Sequence, residues 1–138
     1  MEMRRLLWIV LVACTAWSTA SAENDVYLTD AIKNQTYAQA LSNLLKASHG
    51  LPPWTQQTLK PTGDYVGVPR TFSTAGSTNY ELFNSCKPHA CSDNQLVIMF
   101  APNGTRAWAA YAETGKPIVF LGAPSAAQQS ALKVALQH

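Results

Sequence analysis

The sequence predicts an α+β domain in which an antiparallel β-sheet is flanked by helices. Apolar positions fall at helical spacing from about Asn34 to Ser48. Four short apolar runs follow between Tyr80 and Leu121, separated by turn residues, and a second helical stripe opens at Ser125. A helix, then consecutive strands, then a helix is the order expected of helices laid against an antiparallel sheet.

The chain begins with a segment that lies outside this domain. Arg4 and Arg5 form a basic n-region, Leu6 to Trp17 an apolar stretch, and Ala20-Ser21-Ala22 an A-x-A cleavage site. That three-part pattern is a secretory signal peptide over residues 1–22, leaving one domain over residues 23–138. The apolar stretch is shorter than the ~20 residues a bilayer needs. Leu11-Val12-Ala13-Cys14 also matches a lipobox, which would make Cys14 an acylated anchor. The apolar run continues past Cys14 to a conventional cleavage site, which favours an unanchored product. Loss of Cys14 leaves Cys86 and Cys91 as one pair in an oxidising compartment.

In the first helix, Tyr37, Leu41, Leu44, Leu45 and Ser48 share a face, and Asn34 or Thr36 can cap its start. Gly50 suits the helix end, with His49 beside it as a helix-end residue, and Leu51-Pro52-Pro53-Trp54 cannot continue it. The strand candidates are Tyr80–Ser85, Leu96–Ala101, Ala107–Ala112 and Ile118–Leu121. Asn103-Gly104 is a strong hairpin signal between the second and third. In the last helix Ala127, Ala131, Val134 and Ala135 lie on one stripe, with Leu132 and Leu136 beside it.

The segment Cys86-Lys87-Pro88-His89-Ala90-Cys91 connects the first two strand candidates. Five residues of extended chain span about 17 Å, whereas bridged Cα atoms lie within ~7 Å, so a disulfide here forces a sharp turn. Chain entropy assigns so small a ring roughly 2 kcal/mol, a modest contribution to a domain of this length. Its main effect is rigidity. Lys87, Pro88 and His89 are poor core residues, and a loop stiffened by a bridge and a proline presents its side chains at low ordering cost. On the residues alone, a stapled hairpin that happens to carry a surface histidine describes the segment equally well.

Other chemistries fit less well. Zinc needs about four ligands, and Cys86, His89 and Cys91 supply three, two of which an oxidising compartment removes. The C-x-x-x-x-C spacing is neither the C-x-x-C of thiol–disulfide catalysts nor the C-x-x-C-H of haem attachment. No metal or cofactor is expected. Asp64, Asp93 and Glu113 are scattered acids, and no G-x-S-x-G, H-E-x-x-H or phosphate loop occurs, so no catalytic residue is assigned and the chain is not expected to be an enzyme. Trp54 and Trp108 read as packing residues, His138 as a terminus, and the sequon-like Asn34 and Asn103 as cap and turn. Ten Lys/Arg, less Arg4 and Arg5, against eight Asp/Glu, less Glu2, leave the domain almost balanced with no basic run, which argues against nucleic acid.

The loop and the upstream His49-Gly50-Leu51-Pro52-Pro53-Trp54 together resemble the C-K-P-H-x-C and H-x-L-P-x-W segments of the inhibitor of vertebrate lysozyme (Ivy) family of Gram-negative bacteria. The likeness runs through most of the domain up to about Tyr111. It implies a periplasmic inhibitor whose loop protrudes from the sheet into the active-site cleft of C-type lysozyme. On that resemblance His89 contacts the two catalytic carboxyl groups, Cys86 and Cys91 form the bridge, and Lys87, Pro88 and Ala90 complete the wedge. The chemistry is consistent: lysozyme needs one carboxylic acid and one carboxylate around the scissile bond, and an imidazole between them can hydrogen-bond to both.

Two features depart from the family pattern. Ala90 stands where many relatives carry a polar or acidic residue, and the near-neutral charge gives little steering towards a cationic enzyme. A lytic transglycosylase of the cell's own wall machinery is the alternative partner. A homodimer is a further assembly left open.

Overall fold

The computed structural model describes residues 24–136. The leader read over residues 1–22, Cys14 and His138 all lie outside the described residues. The first regular element is a single turn, α1 (Leu28–Ala31), too short to carry a periodic signal. The first long helix, α2 (Gln35–Lys46), starts where Asn34 accepts the Thr36 amide through its side chain at 2.9 Å. It buries Leu41, Leu44 and Leu45. Its end differs from the glycine cap expected of Gly50. The helix stops at Lys46, and the Ser48 hydroxyl donates to the Leu44 carbonyl at 2.8 Å, so a side chain satisfies the orphan acceptor before Gly50 is reached.

The prolines of Leu51-Pro52-Pro53-Trp54 end that helix and begin another element. Pro53 opens a 3₁₀ segment, Pro53–Leu59, at a position where its missing N–H costs nothing. Six strands follow: β1 (Val66–Gly67), β2 (Thr71–Ala75), β3 (Thr78–Cys86), β4 (Asn94–Phe100), β5 (Ala107–Glu113) and β6 (Val119–Leu121). They form one antiparallel sheet in the order β1-β3-β4-β5-β6, with β2 beside β1 on the same edge of β3. The last helix, α3 (Ala126–Ala135), begins with a capping box in which Ser125 and Gln128 satisfy each other's amides.

The helices cover opposite faces of the sheet. Leu96, Ile98 and Phe100 of β4 pack towards α2 with Phe83 and Trp54, whereas Val97 and Met99 pack towards α3 with Leu82 and Trp108. With both faces covered, β4 loses the alternation of a half-exposed strand and reads as a continuous apolar run. The α3 stripe is rotated from the expected one. Leu132 is fully buried with Gln128, Ala131 and Ala135 beside it, while Ala127 and Val134 face outward. Leu132 takes the core position, where its burial removes more apolar surface from water than an alanine's would.

The β4–β5 turn is fixed by packing as well as backbone preference. Asn103 and Gly104 both have left-handed φ values, 64° and 71°, and a Cβ on Gly104 would fall 2.4 Å from the Tyr37 ring. Tyr37 in turn donates a 2.5 Å hydrogen bond to Glu81, which also pairs with Arg70 at 2.8 Å. That network ties α2, β3 and the residue just before β2 together, away from the cysteines.

Candidate functional site

The six-residue loop begins where β3 ends. Cys86 pairs in register with Gln95, and its bridge to Cys91 holds the two Cα atoms 4.8 Å apart. Inside the ring the Ala90 amide donates to the Lys87 carbonyl at 3.0 Å, closing a four-residue turn. Pro88 occupies its second position and His89 its third, with φ of 64°. This is the arrangement of a type II turn, which takes proline second and requires positive φ third. Glycine is the usual third residue, although histidine enters the left-handed region more readily than most others. The backbone therefore turns at His89 itself and places the imidazole at the exposed apex, with Lys87 also exposed and Pro88 and Ala90 half-buried.

The strand after the loop starts earlier than the sequence suggests, at Asn94 rather than Leu96. The extra length is polar and braces the loop. Lys87 donates its amide to the Asn94 carbonyl at 3.2 Å. Asp93 and Asn94 both donate their amides to the Ala90 carbonyl, at 3.0 and 2.9 Å. Behind them, the Tyr111 hydroxyl lies 3.0 Å from Asn94 Oδ1, and Thr114 bonds to Asp93 through both its amide and its hydroxyl, at 3.0 and 3.1 Å. Burial, reinforced by the nearby Glu113 carboxylate, pushes the Tyr111 hydroxyl above its ordinary pKa.

The second sequence motif arrives at the same place. Pro53, Trp54 and Gln57 of the 3₁₀ segment, with Asp64, face Lys87, Pro88 and His89 across an open groove of about 380 Å³. Trp54 is 8 % exposed and packs 6.4 Å from the Tyr111 ring. Gly63 lies so close to the Gln57 carbonyl that a Cβ would fall 1.9 Å from the oxygen, which fixes the approach of Asp64 to the segment. Residues 23 to 36 positions apart in sequence thus line the same groove.

The structure brings Cys86, Lys87, Pro88, His89, Ala90 and Cys91 into one closed turn. It does not gather the scattered acids. Asp93 bonds to Thr114, Glu113 pairs with Lys116 at 3.0 Å, and Asp64 lines the groove. Among the described residues, no three His, Cys, Asp or Glu side chains form a metal-ligating group, and no helix is long and apolar enough to cross a membrane. Sequence reading missed Tyr111, Thr114 and Asn94 as supports of the loop. Their polar contacts span turns and carry no periodic signal.

Comparison with known proteins places this geometry in context. The family model described as "Inhibitor of vertebrate lysozyme (Ivy)" matches residues 36–136. A Pseudomonas aeruginosa protein named inhibitor of vertebrate lysozyme is 29% identical over 105 residues, covering 75% of this chain and 65% of its own. The protein of that name in Escherichia coli K12 is 26% identical over 84 residues, covering 61% of this chain and 49% of its own. An uncharacterized Yersinia pestis protein is 24% identical over 81 residues, 59% of this chain and 49% of its own. The chain therefore spans between about half and two thirds of the length of these relatives.

Proposed function

The chain belongs to the inhibitor of vertebrate lysozyme (Ivy) family, and we propose from that premise that it is an exported, periplasmic inhibitor of C-type lysozyme. Residues 1–22 are removed on export, and residues 23–138 act as the inhibitor. The observation that carries this reading is His89, exposed at the apex of a turn closed by the Cys86–Cys91 bridge.

A rigid apex suits a cleft. Lysozyme holds a carboxylic acid and a carboxylate on either side of the scissile bond, with space between them for substrate. A single imidazole entering that space has two ring nitrogens to engage the two carboxyl groups. Lys87 and Pro88 shape the wedge, and Ala90 adds none of its own side-chain hydrogen bonds. Its contribution is the backbone carbonyl that receives Asp93 and Asn94. Because the turn is already formed, little conformational entropy is lost when it docks. Inhibition needs no bond to be made or broken, only exclusion of the polysaccharide.

The test is clearing of a bacterial cell-wall suspension by C-type lysozyme, with and without the purified chain. Dose-dependent loss of clearing is expected. Full clearing at stoichiometric excess sinks the reading. The same titration against a periplasmic lytic transglycosylase, which uses one catalytic acid, tells whether the enzyme of the cell's own wall is the better partner.

A further inference from the structure

The loop is held by more than its bridge. Lys87 and Ala90, the residues on either side of Pro88-His89, are hydrogen-bonded to Asn94 and Asp93, and those two are held in turn by the β5–β6 hairpin. Thr114 makes two bonds to Asp93, one to the backbone carbonyl and one to carboxylate Oδ1. Tyr111, 5 % exposed, reaches Asn94 Oδ1 with its hydroxyl while its ring packs near Trp54. The bridge constrains the chain ends of the ring but leaves its tilt relative to the sheet free. Bonds from a neighbouring hairpin fix that tilt.

We infer that Thr114 and Tyr111 are positioning residues for inhibition: through Asp93 and Asn94 they orient the disulfide-closed turn so that His89 meets its target already aimed. This rests on the reading of the loop as the inhibitory element. Neither residue touches the target. A loop with the same bridge but without these bonds samples several orientations, and only a fraction of them can dock, which lowers the apparent affinity by that fraction. Thr114 is exposed and its neighbour Glu113 pairs with Lys116 on the surface, so its hydroxyl has little part in holding the core.

The experiment compares wild type, Thr114→Val and Thr114→Ser in lysozyme inhibition, thermal unfolding and backbone amide order parameters of His89 and Ala90. Thr114→Val keeps the shape and the amide bond but loses the hydroxyl donor. It is expected to weaken inhibition about three- to tenfold, the range of one lost hydrogen bond. Its unfolding midpoint is expected to stay within the ~2 °C of a neutral surface substitution. The His89 and Ala90 order parameters are expected to fall below the rigid value of about 0.85. Thr114→Ser restores both inhibition and order. Wild-type inhibition by Thr114→Val, or unchanged loop order parameters, overturns the inference. If wild type itself fails to inhibit, the functional reading fails, and the order parameters still decide whether Thr114 orders the loop.

Discussion

Two hairpin connections at opposite ends of the same sheet solve the same backbone problem differently. The β4–β5 turn and the β3–β4 loop each contain a non-glycine residue with φ of 64°, Asn103 in one and His89 in the other. In the first, the side chains suit the backbone: asparagine and glycine are the residues that tolerate left-handed φ, and Gly104 is buried against Tyr37. In the second, the left-handed position carries a large, exposed imidazole, and a disulfide and flanking hydrogen bonds hold it there. A left-handed conformation costs a non-glycine residue roughly 1–2 kcal/mol. One turn minimises that cost because its task is to fold. The other retains it and holds the His89 imidazole exposed at the apex, as the proposed function requires.

Substitutions should separate the two turns. The largest effect on stability is expected from Gly104→Ala, which places a Cβ 2.4 Å from the Tyr37 ring at φ of 71°. Overpacking together with the left-handed penalty should cost about 3 kcal/mol in chemical denaturation, with inhibition per folded molecule unchanged. Lost inhibition in the folded fraction would mean that the two ends of the sheet are coupled.

Reducing the Cys86–Cys91 bridge should have the opposite profile. It removes roughly 2 kcal/mol of chain-entropy stabilisation, so cooperative unfolding should persist at room temperature. Inhibition should fall at least about tenfold, because the four residues inside the ring must then be ordered on binding. Unfolding and inhibition lost together would make the bridge structural.

The smallest expected effect concerns Tyr37, which packs on Gly104. Burial first, then its hydrogen bond to Glu81 and that carboxylate's charge, pushes the Tyr37 hydroxyl up to about 12. Because the folded-state value lies above the ordinary 10.0, the stabilisation is full below about pH 10 and is lost as pH rises towards 12. Tyr37→Phe should therefore flatten the alkaline decline in thermal stability. It should not abolish the decline, since Tyr65 and Tyr111 are also raised by burial. An unchanged decline would show that this hydroxyl does not contribute.

The parts of the molecule legible in the sequence are those with a repeating or a bridging signal. The α2 face, the continuous run of β4, the Ser125 cap and the Cys86–Cys91 ring all announce themselves through spacing. The edge strand β2 does not, because Thr71, Phe72 and Thr74 are exposed and no apolar alternation marks a buried face. The α3 stripe is shifted because alanines, small on either face, outline a helical stripe weakly. In the site, residue type and ring size indicate a stiff histidine-bearing turn. The convergence of Trp54, Gln57 and Asp64 on that turn arises from non-local packing, and the Thr114–Asp93 contact joins residues 21 positions apart. Such contacts depend on how the sheet is ordered, which periodicity within one strand does not encode.

His89 is expected to carry most of the energy of inhibition while contributing little to the fold. A side-by-side titration of wild type and His89→Ala against C-type lysozyme, with thermal unfolding of both, tests it most directly. The expected result is inhibition weakened by about a hundredfold, the scale of a binding hot spot, with an unchanged or slightly lower unfolding midpoint. Equal inhibition by the two proteins would contradict it.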